Sequence, residues 1–498
     1  MQEHKRAVVI GAGVAGIASA IRLAVQGWEV TVFEKNNYPG GKLSHFYLGS
    51  FSFDAGPSLF TQPHLIEELF QLAGEPITPY FRYRLLPVSC HYFYEDGTRL
   101  KAWHDQDLFA RELSEKLGEK PAALSNYLRK AANMYRYLGN AFLEHSLHKP
   151  ATLAKIQWRK ALQHLQRKQL FDSLHHWNAA HFSNPKTVQL FNRYATYNGS
   201  DPYQAPGMLG MIPHLEHNEG AFYPDGGMIS ITQALFKLAQ KKGVRFEMDS
   251  PVERIIGDGN QVRGVVVNGK NRMAELVISN MDVYFTYHRL LRDERKAQKI
   301  SRQERSSSAL IFYWGISKTF PELDLHNIFF SADYAAEFRH IFRLKQLYPD
   351  PTVYINITSK CEPGLHAPAG KENWFVMVNV PAHRGDFPKE MIAACRTAIL
   401  AKLDRLLGEP VAPLIEAEQV LTPAGIETVT ASYMGALYGT SSNARLAAFL
   451  RHPNFSRQYK GLYFVGGSVH PGGGIPLCLR SAAIMSQMVS RDYPAEQP

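Results

Sequence analysis

The hydrophobic pattern opens with an unbroken apolar run, Ala7 to Ile10, and then changes period. From Val14 to Val25 apolar residues recur on helical spacing, with Ala20 and Leu23 on one face. Gly27 fits a helix stop, and Val30 to Phe33 returns to the pattern of a buried strand. The order strand, turn, helix, strand predicts a parallel βαβ unit. Comparable pieces recur later. A helix is predicted over 230–241, closed by Gly243, then a strand over 244–248. A hairpin follows over 252–256 and 262–268 around Asp258-Gly259-Asn260, then a buried strand over 276–279. Residues 65–210 read mainly helical, with a short strand pair near 83–98. Residues 290–420 mix helices with β-rich runs at 309–315, 352–358 and 374–380. A strand over 462–465 and a helix over 475–489 close the chain.

The first turn carries Gly11, Gly13 and Gly16 in G-x-G-x-x-G spacing. Gly11 permits the tight turn, Gly13 lets backbone approach a pyrophosphate, and Gly16 lets helix pack closely on strand. Glu34 ends the second strand, where an acid accepts a bond from a ribose 2′-hydroxyl and repels a 2′-phosphate. This combination predicts an adenine dinucleotide and disfavours NADP. The run 7–25 is apolar enough to imitate a membrane span, but Arg22, the glycines and the immediate second strand argue against one.

Two further glycine clusters change the picture. Pro39-Gly40-Gly41-Lys42 allows a second close approach of backbone to cofactor, which a nicotinamide enzyme does not need and a flavin does. Phe53-Asp54-Ala55-Gly56-Pro57-Ser58 reads as a turn-rich loop able to pass over a flavin ring. Near the carboxy terminus, Gly466-Gly467 ends a strand, a glycine loop runs through His470-Pro471-Gly472 to Gly474, and Ile475-Pro476 starts a helix. A helix amino terminus there favours the negative edge of a reduced flavin by roughly 0.3–1 kcal/mol, up to ~2 when buried.

These residues together resemble the carotenoid (phytoene) desaturase family of FAD flavoproteins, over essentially the whole chain. The stretches Phe53 to Phe60, Arg193 to Gly199 and Glu304 to Gly315 are similar to bacterial hydroxycarotenoid 3,4-desaturases. Lys42 departs from the arginine that many members carry; lysine keeps the charge but loses bidentate phosphate geometry. The resemblance implies an α/β fold: a discontinuous Rossmann-type FAD-binding domain, an inserted mixed α+β substrate domain and a helical membrane-facing region. Motif placement divides the chain into 1–75, 216–290 and 421–498 for FAD, 76–215 for the helical region and 291–420 for substrate. The cofactor candidates are Gly11, Gly13, Gly16, Glu34, Gly40, Gly41, Lys42, Pro57, Ser58, Val252, Gly467, Gly474, Ile475 and Pro476.

The implied reaction places a carbon–carbon double bond in an acyclic carotenoid, by hydride transfer to flavin N5 with loss of the neighbouring proton. A strong base is not required, because a proton beside a polyene carbocation is acidic. His470 and Asp54 are the candidates for groups near the ring, each with a plain structural alternative: Asp54 as a turn cap, His470 as a backbone partner. Runs 309–314 and 194–197 suit either an apolar tunnel or a core. Oxygen and quinone stay open as electron acceptor. A carotenoid isomerase, a retinoid saturase, an amine oxidase and a non-enzymatic prenyl-lipid escort share the architecture, the last without an intact phosphate cradle.

Length and charge refine this reading. The chain of 498 residues is 45% hydrophobic and carries a formal charge of +10. That charge suits an anionic membrane surface better than nucleic acid, for which no motif appears. Lys155 to Lys168 intersperses basic residues with Ile156, Trp158, Leu162 and Leu165, so this segment either lies on a bilayer or packs as an ordinary solvated helix. Four scattered cysteines and no leader before the first strand lead to an expected cytoplasmic protein, attached peripherally to the inner face of the membrane. His214 and His217 flank Glu216 without an evident third ligand, so no metal is expected.

Overall fold

The computed structural model describes residues 5–146, 148–149, 172–444 and 451–494. The basic stretch 155–168 lies outside the described residues.

Arg6–Ile10 is the central strand of a five-stranded, all-parallel sheet. The order is Leu462–Phe464, Leu276–Ser279, Arg6–Ile10, Glu29–Phe33, Arg245–Glu247. Layers cover both faces, which is why these strands read as continuous apolar runs rather than alternations. Helices Val14–Val25, Ile229–Lys241 and Ile475–Asp492 cover one face. An antiparallel sheet of Val252–Asp258, Gln261–Val267 and Lys270–Met273 packs its inner residues on the other. Helix Val14–Val25 is enclosed, with Ile17, Ala18, Ala20, Ile21 and Leu23 fully buried. Its membrane-like composition is therefore that of a core helix, and its one charge, Arg22, pairs with Glu68 at 2.6 Å. Among the described residues, no helix is long and apolar enough to cross a membrane.

A second sheet has seven strands in the order Ile415–Leu421, Ser308–Ile316, Glu372–Val380, Val353–Asn356, His326–Phe329, Val88–Phe93, Arg99–Trp103. Its neighbours are antiparallel except His326–Phe329 with Val88–Phe93. The period of two divides its side chains. Leu310, Phe312 and Trp314 join Trp374, Val376 and Val378 in a core closed by helix Lys389–Leu407. Ile311, Tyr313 and Phe375 point to the opposite face.

The strand pair expected inside the helical region belongs to this sheet. Val88–Phe93 and Arg99–Trp103 extend its edge, so the seven-stranded sheet draws strands from two stretches of chain. Of these two strands, local patterning over 83–98 reached Val88–Phe93 and stopped short of Arg99–Trp103, and it gave no partner, since register between distant strands is set by packing. The described helices of 106–144 and 174–217 gather around Tyr127, Phe191 and Tyr194 and lie over the open face of the large sheet.

Candidate cofactor and substrate site

Strand order in the parallel sheet reverses on either side of Arg6–Ile10. Its carboxyl end and that of Leu276–Ser279 thus flank a crevice, the position where open α/β sheets bind ligands. Gly11 turns the chain there with φ +94°, and its amide donates to Phe33 O at 2.8 Å. A Cβ on Gly16 would stand 2.1 Å from Gly11 O, so this glycine serves helix–strand packing. Gly13 begins helix Val14–Val25 with no capping side chain. Val14 and Ala15 of its first turn border a cavity. A helix start that its own N-cap residue leaves uncapped, with Val14 and Ala15 beside open space, suits a pyrophosphate.

Glu34 is buried at the end of its strand. Its carboxylate accepts from Ala12 N at 2.7 Å and Asn36 N at 2.9 Å. Each oxygen keeps a lone pair, so the group can still accept from sugar hydroxyls. The Gly40-Gly41 turn lies directly against the first loop: Gly40 N donates to Ala12 O at 2.8 Å, and a Cβ on Gly41 would meet Gly13 Cα at 3.4 Å. The three glycine segments therefore converge as one cradle. The third is pinned from below, where Ser481 Oγ accepts from Gly466 N at 3.3 Å and from Asn454 Nδ2 at 3.0 Å. Gly474 (φ +104°) starts helix Ile475–Asp492 with no capping side chain and nothing within 4 Å of where a Cβ would stand.

The cradle forms one end of a cavity of about 970 Å³. This is at the upper end of the ~300–1,000 Å³ usual for ligand sites. Its far walls are the open face of the seven-stranded sheet, through Ile311, Ile328, Phe375 and Met377, and the helical region, through Leu143, Met208 and Leu209. Every cofactor candidate except Gly16 borders this cavity, including Val252, Pro57 and Ser58.

Two cations sit in the cradle's walls. Lys42 Nζ donates to Leu437 O at 2.7 Å and Ala436 O at 3.4 Å; burial lowers its pKa, against an opposing pull from Asp282. Arg451 Nη1 donates to Tyr438 O at 2.6 Å and Gly467 O at 3.2 Å. Burial, with Arg305 nearby, lowers the Arg451 pKa to about 10, so it stays charged. Both sites suit an anionic cofactor.

The structure gives the two candidates for ring chemistry different places. Asp54 lies outside the cavity lining. Its oxygens accept from Met228 N at 2.7 Å and Ile229 N at 3.0 Å, holding the start of helix Ile229–Lys241. This corrects the expected position beside the ring: a helix start 174 residues away claims the carboxylate. Burial raises its pKa to about 6, against those two amide bonds. His470 does border the cavity, and its Nε2 pairs with His145 O at 3.0 Å. A carbonyl only accepts, so Nε2 carries the proton; burial lowers the pKa to about 4 and keeps the ring neutral.

Of the possible tunnel segments, Ile311, Thr196 and Tyr197 reach the cavity, while Leu310, Phe312 and Trp314 fill the core on the other face. Glu216 is committed elsewhere, to Arg193 at 3.0 Å and to the Ser89 and Tyr197 hydroxyls. Among the described residues, no group of three or more metal-type ligands forms.

Sequence reasoning missed Asn280 and Arg451. Asn280 follows a strand end just as Gly11 does, and its carboxamide lies over the glycine loop. With Oδ1 inward it accepts from Gly13 N at 3.2 Å and Gly16 N at 3.3 Å. No local motif marks either residue.

Residues 14–489 match the family described as flavin containing amine oxidoreductase. The chain belongs to that family. Its cofactor is accordingly a flavin, and the glycine cradle fits one. Among curated relatives, a 1-hydroxycarotenoid 3,4-desaturase of a Flavobacterium species is 52% identical over 485 residues, covering 97% of this chain and 99% of that one. A 4,4'-diapolycopene oxygenase of a Methylomonas species is 32% identical over 495 residues, covering 98% and 99%. Among solved structures, an oxidoreductase from Methanosarcina mazei superposes with a TM-score of 0.64 at 15% identity, covering 97% and 99%. That last likeness speaks for the fold alone.

Proposed function

We propose that this protein is an FAD-dependent carotenoid desaturase that forms the 3,4 double bond of a 1-hydroxylated acyclic carotenoid. One observation carries the reading. The flavin cradle opens directly into a large apolar cavity walled by a sheet face and a helical region, the shape and polarity that a polyene end requires. The substrate class follows the 52%-identical relative.

Bound FAD supplies the hydride acceptor. The helix starts at Gly13 and Gly474 would hold its phosphates and favour the negative edge of its ring, and Glu34 would accept from its ribose. Lys42 and Arg451, both lining the cavity, would offset the negative charge of the bound cofactor. The apolar walls orient the polyene and exclude water. His470 is neutral and a weak base, and Asp54 is engaged away from the cavity, so the proton leaves without a strong side-chain base. The positive net charge and the insolubility of the substrate support peripheral attachment to the inner face of the membrane, with oxygen or a quinone as the final acceptor.

The test is expression in cells that make acyclic carotenoids, with and without the 1-hydroxyl, followed by pigment mass analysis. The expected result is a product lighter by two hydrogens from the hydroxylated pigment. An unchanged mass with altered double-bond geometry would point to an isomerase, and a flavin-free purified protein to a lipid escort.

A further inference from the structure

The cavity wall given by the large sheet is apolar at Ile311, Ile328, Phe375 and Met377, and among the polar side chains that interrupt it two are linked to each other and to a loop serine. Tyr354 sits in register with Ile328 and Met377, and His326 with Asn356 in the next row, so both rows share the cavity face. Ser58, Tyr354 and His326 all border the cavity. Ser58 Oγ is 2.6 Å from Tyr354 Oη, and Tyr354 Oη is 2.8 Å from His326 Nδ1.

The direction of this chain follows from Asn356. Its Nδ2 lies 3.2 Å from His326 Nδ1, and an amide nitrogen only donates. His326 Nδ1 is therefore the bare nitrogen. The Tyr354 hydroxyl donates to it and accepts in turn from Ser58. The ring is neutral, so its proton is on Nε2, a buried donor with no partner among the described residues. A donor in that state is costly unless a ligand supplies an acceptor.

Resting on the desaturase reading above, we propose that Ser58, Tyr354 and His326 form the seat of the substrate's terminal hydroxyl. A hydroxyl both accepts and donates. It matches the unpartnered His326 N–H and a lone pair on Ser58 Oγ. In a 1-hydroxy substrate oxidised at C3 and C4, the oxygen is three bonds from C3. Its seat must then adjoin the reacting position. Ser58 meets that requirement, because its loop lies against the Gly40-Gly41-Lys42 turn of the cradle: a Cβ on Gly56 would stand 1.9 Å from Lys42 O, and Ala55 N donates to Ser44 O at 2.8 Å. Among the described residues neither Ser58 nor Tyr354 is hydrogen-bonded to a carboxylate or cation, so the seat selects a neutral polar group on an otherwise apolar chain.

The test compares wild type with Tyr354→Phe and Ser58→Ala, each purified with its flavin. Two probes are used: a 1-hydroxylated acyclic carotenoid and the same carbon skeleton without the hydroxyl. Turnover and equilibrium binding, the latter by quenching of protein fluorescence, are measured for both. Sites that hydrogen-bond a substrate hydroxyl discriminate strongly against analogues lacking it. The expected result is a preference for the hydroxylated probe that falls about tenfold to a hundredfold in Tyr354→Phe, and less in Ser58→Ala, in binding as in turnover. Variants that keep the wild-type preference, or that weaken both probes equally, overturn the proposal while leaving the desaturase reading intact. A wild type without preference overturns the substrate reading and the seat together.

Discussion

Gly16→Ala tests the cradle at its tightest point. The new Cβ would stand 2.1 Å from Gly11 O, 3.3 Å from Gly11 C and 3.0 Å from the Asn280 carboxamide. The first two are backbone, so no side-chain rotation relieves the clash. To restore even 3.0 Å the carbonyl must retreat by about 0.9 Å. The helix cannot yield instead, because it is enclosed between Ile229–Lys241 and Ile475–Asp492 with its inner residues fully buried. The loop amides must move, and with them the donors facing a pyrophosphate. Losing one charge-assisted bond costs about 1.5–3 kcal/mol, which is roughly tenfold to a hundredfold in FAD affinity. Overpacking adds about 1–3 kcal/mol of lost stability. The assay is flavin absorbance per polypeptide after dialysis, FAD titration of the stripped protein, and a thermal melt. Gly27→Ala is the control: it has φ +86° but nothing within 4 Å of a Cβ, so it should cost roughly 1–2 kcal/mol of stability and leave FAD affinity unchanged. A Gly16→Ala protein with wild-type flavin content, FAD affinity and melting temperature would refute the packing argument.

Three further outcomes follow from buried charge. The folded pKa of Asp54, about 6, lies above its ordinary 3.8, so its contribution to stability is full below about 3.8 and lost as pH rises through 6. Asp54→Asn should therefore gain on wild type by up to about 3 kcal/mol between pH 4 and pH 8 in denaturant melts, and should retain bound flavin. Glu216 is held at about 2: burial alone would raise it, but the Arg193 guanidinium and the Tyr197 and Ser89 hydroxyls outweigh burial. Removing its charge as Glu216→Leu leaves Arg193 buried and unpaired, an expected loss of about 3–5 kcal/mol by urea unfolding, whereas a change under 1 kcal/mol would mean the pair is dispensable. Burial lowers His217, His326, His452 and His470 to about 4, so each loses its contribution as pH falls from 6.5 through 4. His470→Gln should flatten that acid slope by one group and hold desaturation within about tenfold of wild type; a loss beyond about a thousandfold would restore it as a base.

The sequence by itself determined the parts whose physics is local. Glycine spacing, the change from strand to helix period and the acid at Glu34 are read within a few residues, because a tight turn and an uncapped helix start need no distant partner. The two other glycine segments were legible for the same reason. Tertiary structure decided where those parts meet and what the polar side chains do there. Asp54 read as either a group near the ring or a turn cap until a helix 174 residues later claimed both its oxygens. Asn280 and Arg451 carry no motif, because they join the cradle only once strand order and the closing loop bring them beside it. Tyr354, His326 and Asn356 share a cavity face through strand register, and register is a property of the packed sheet rather than of any one strand.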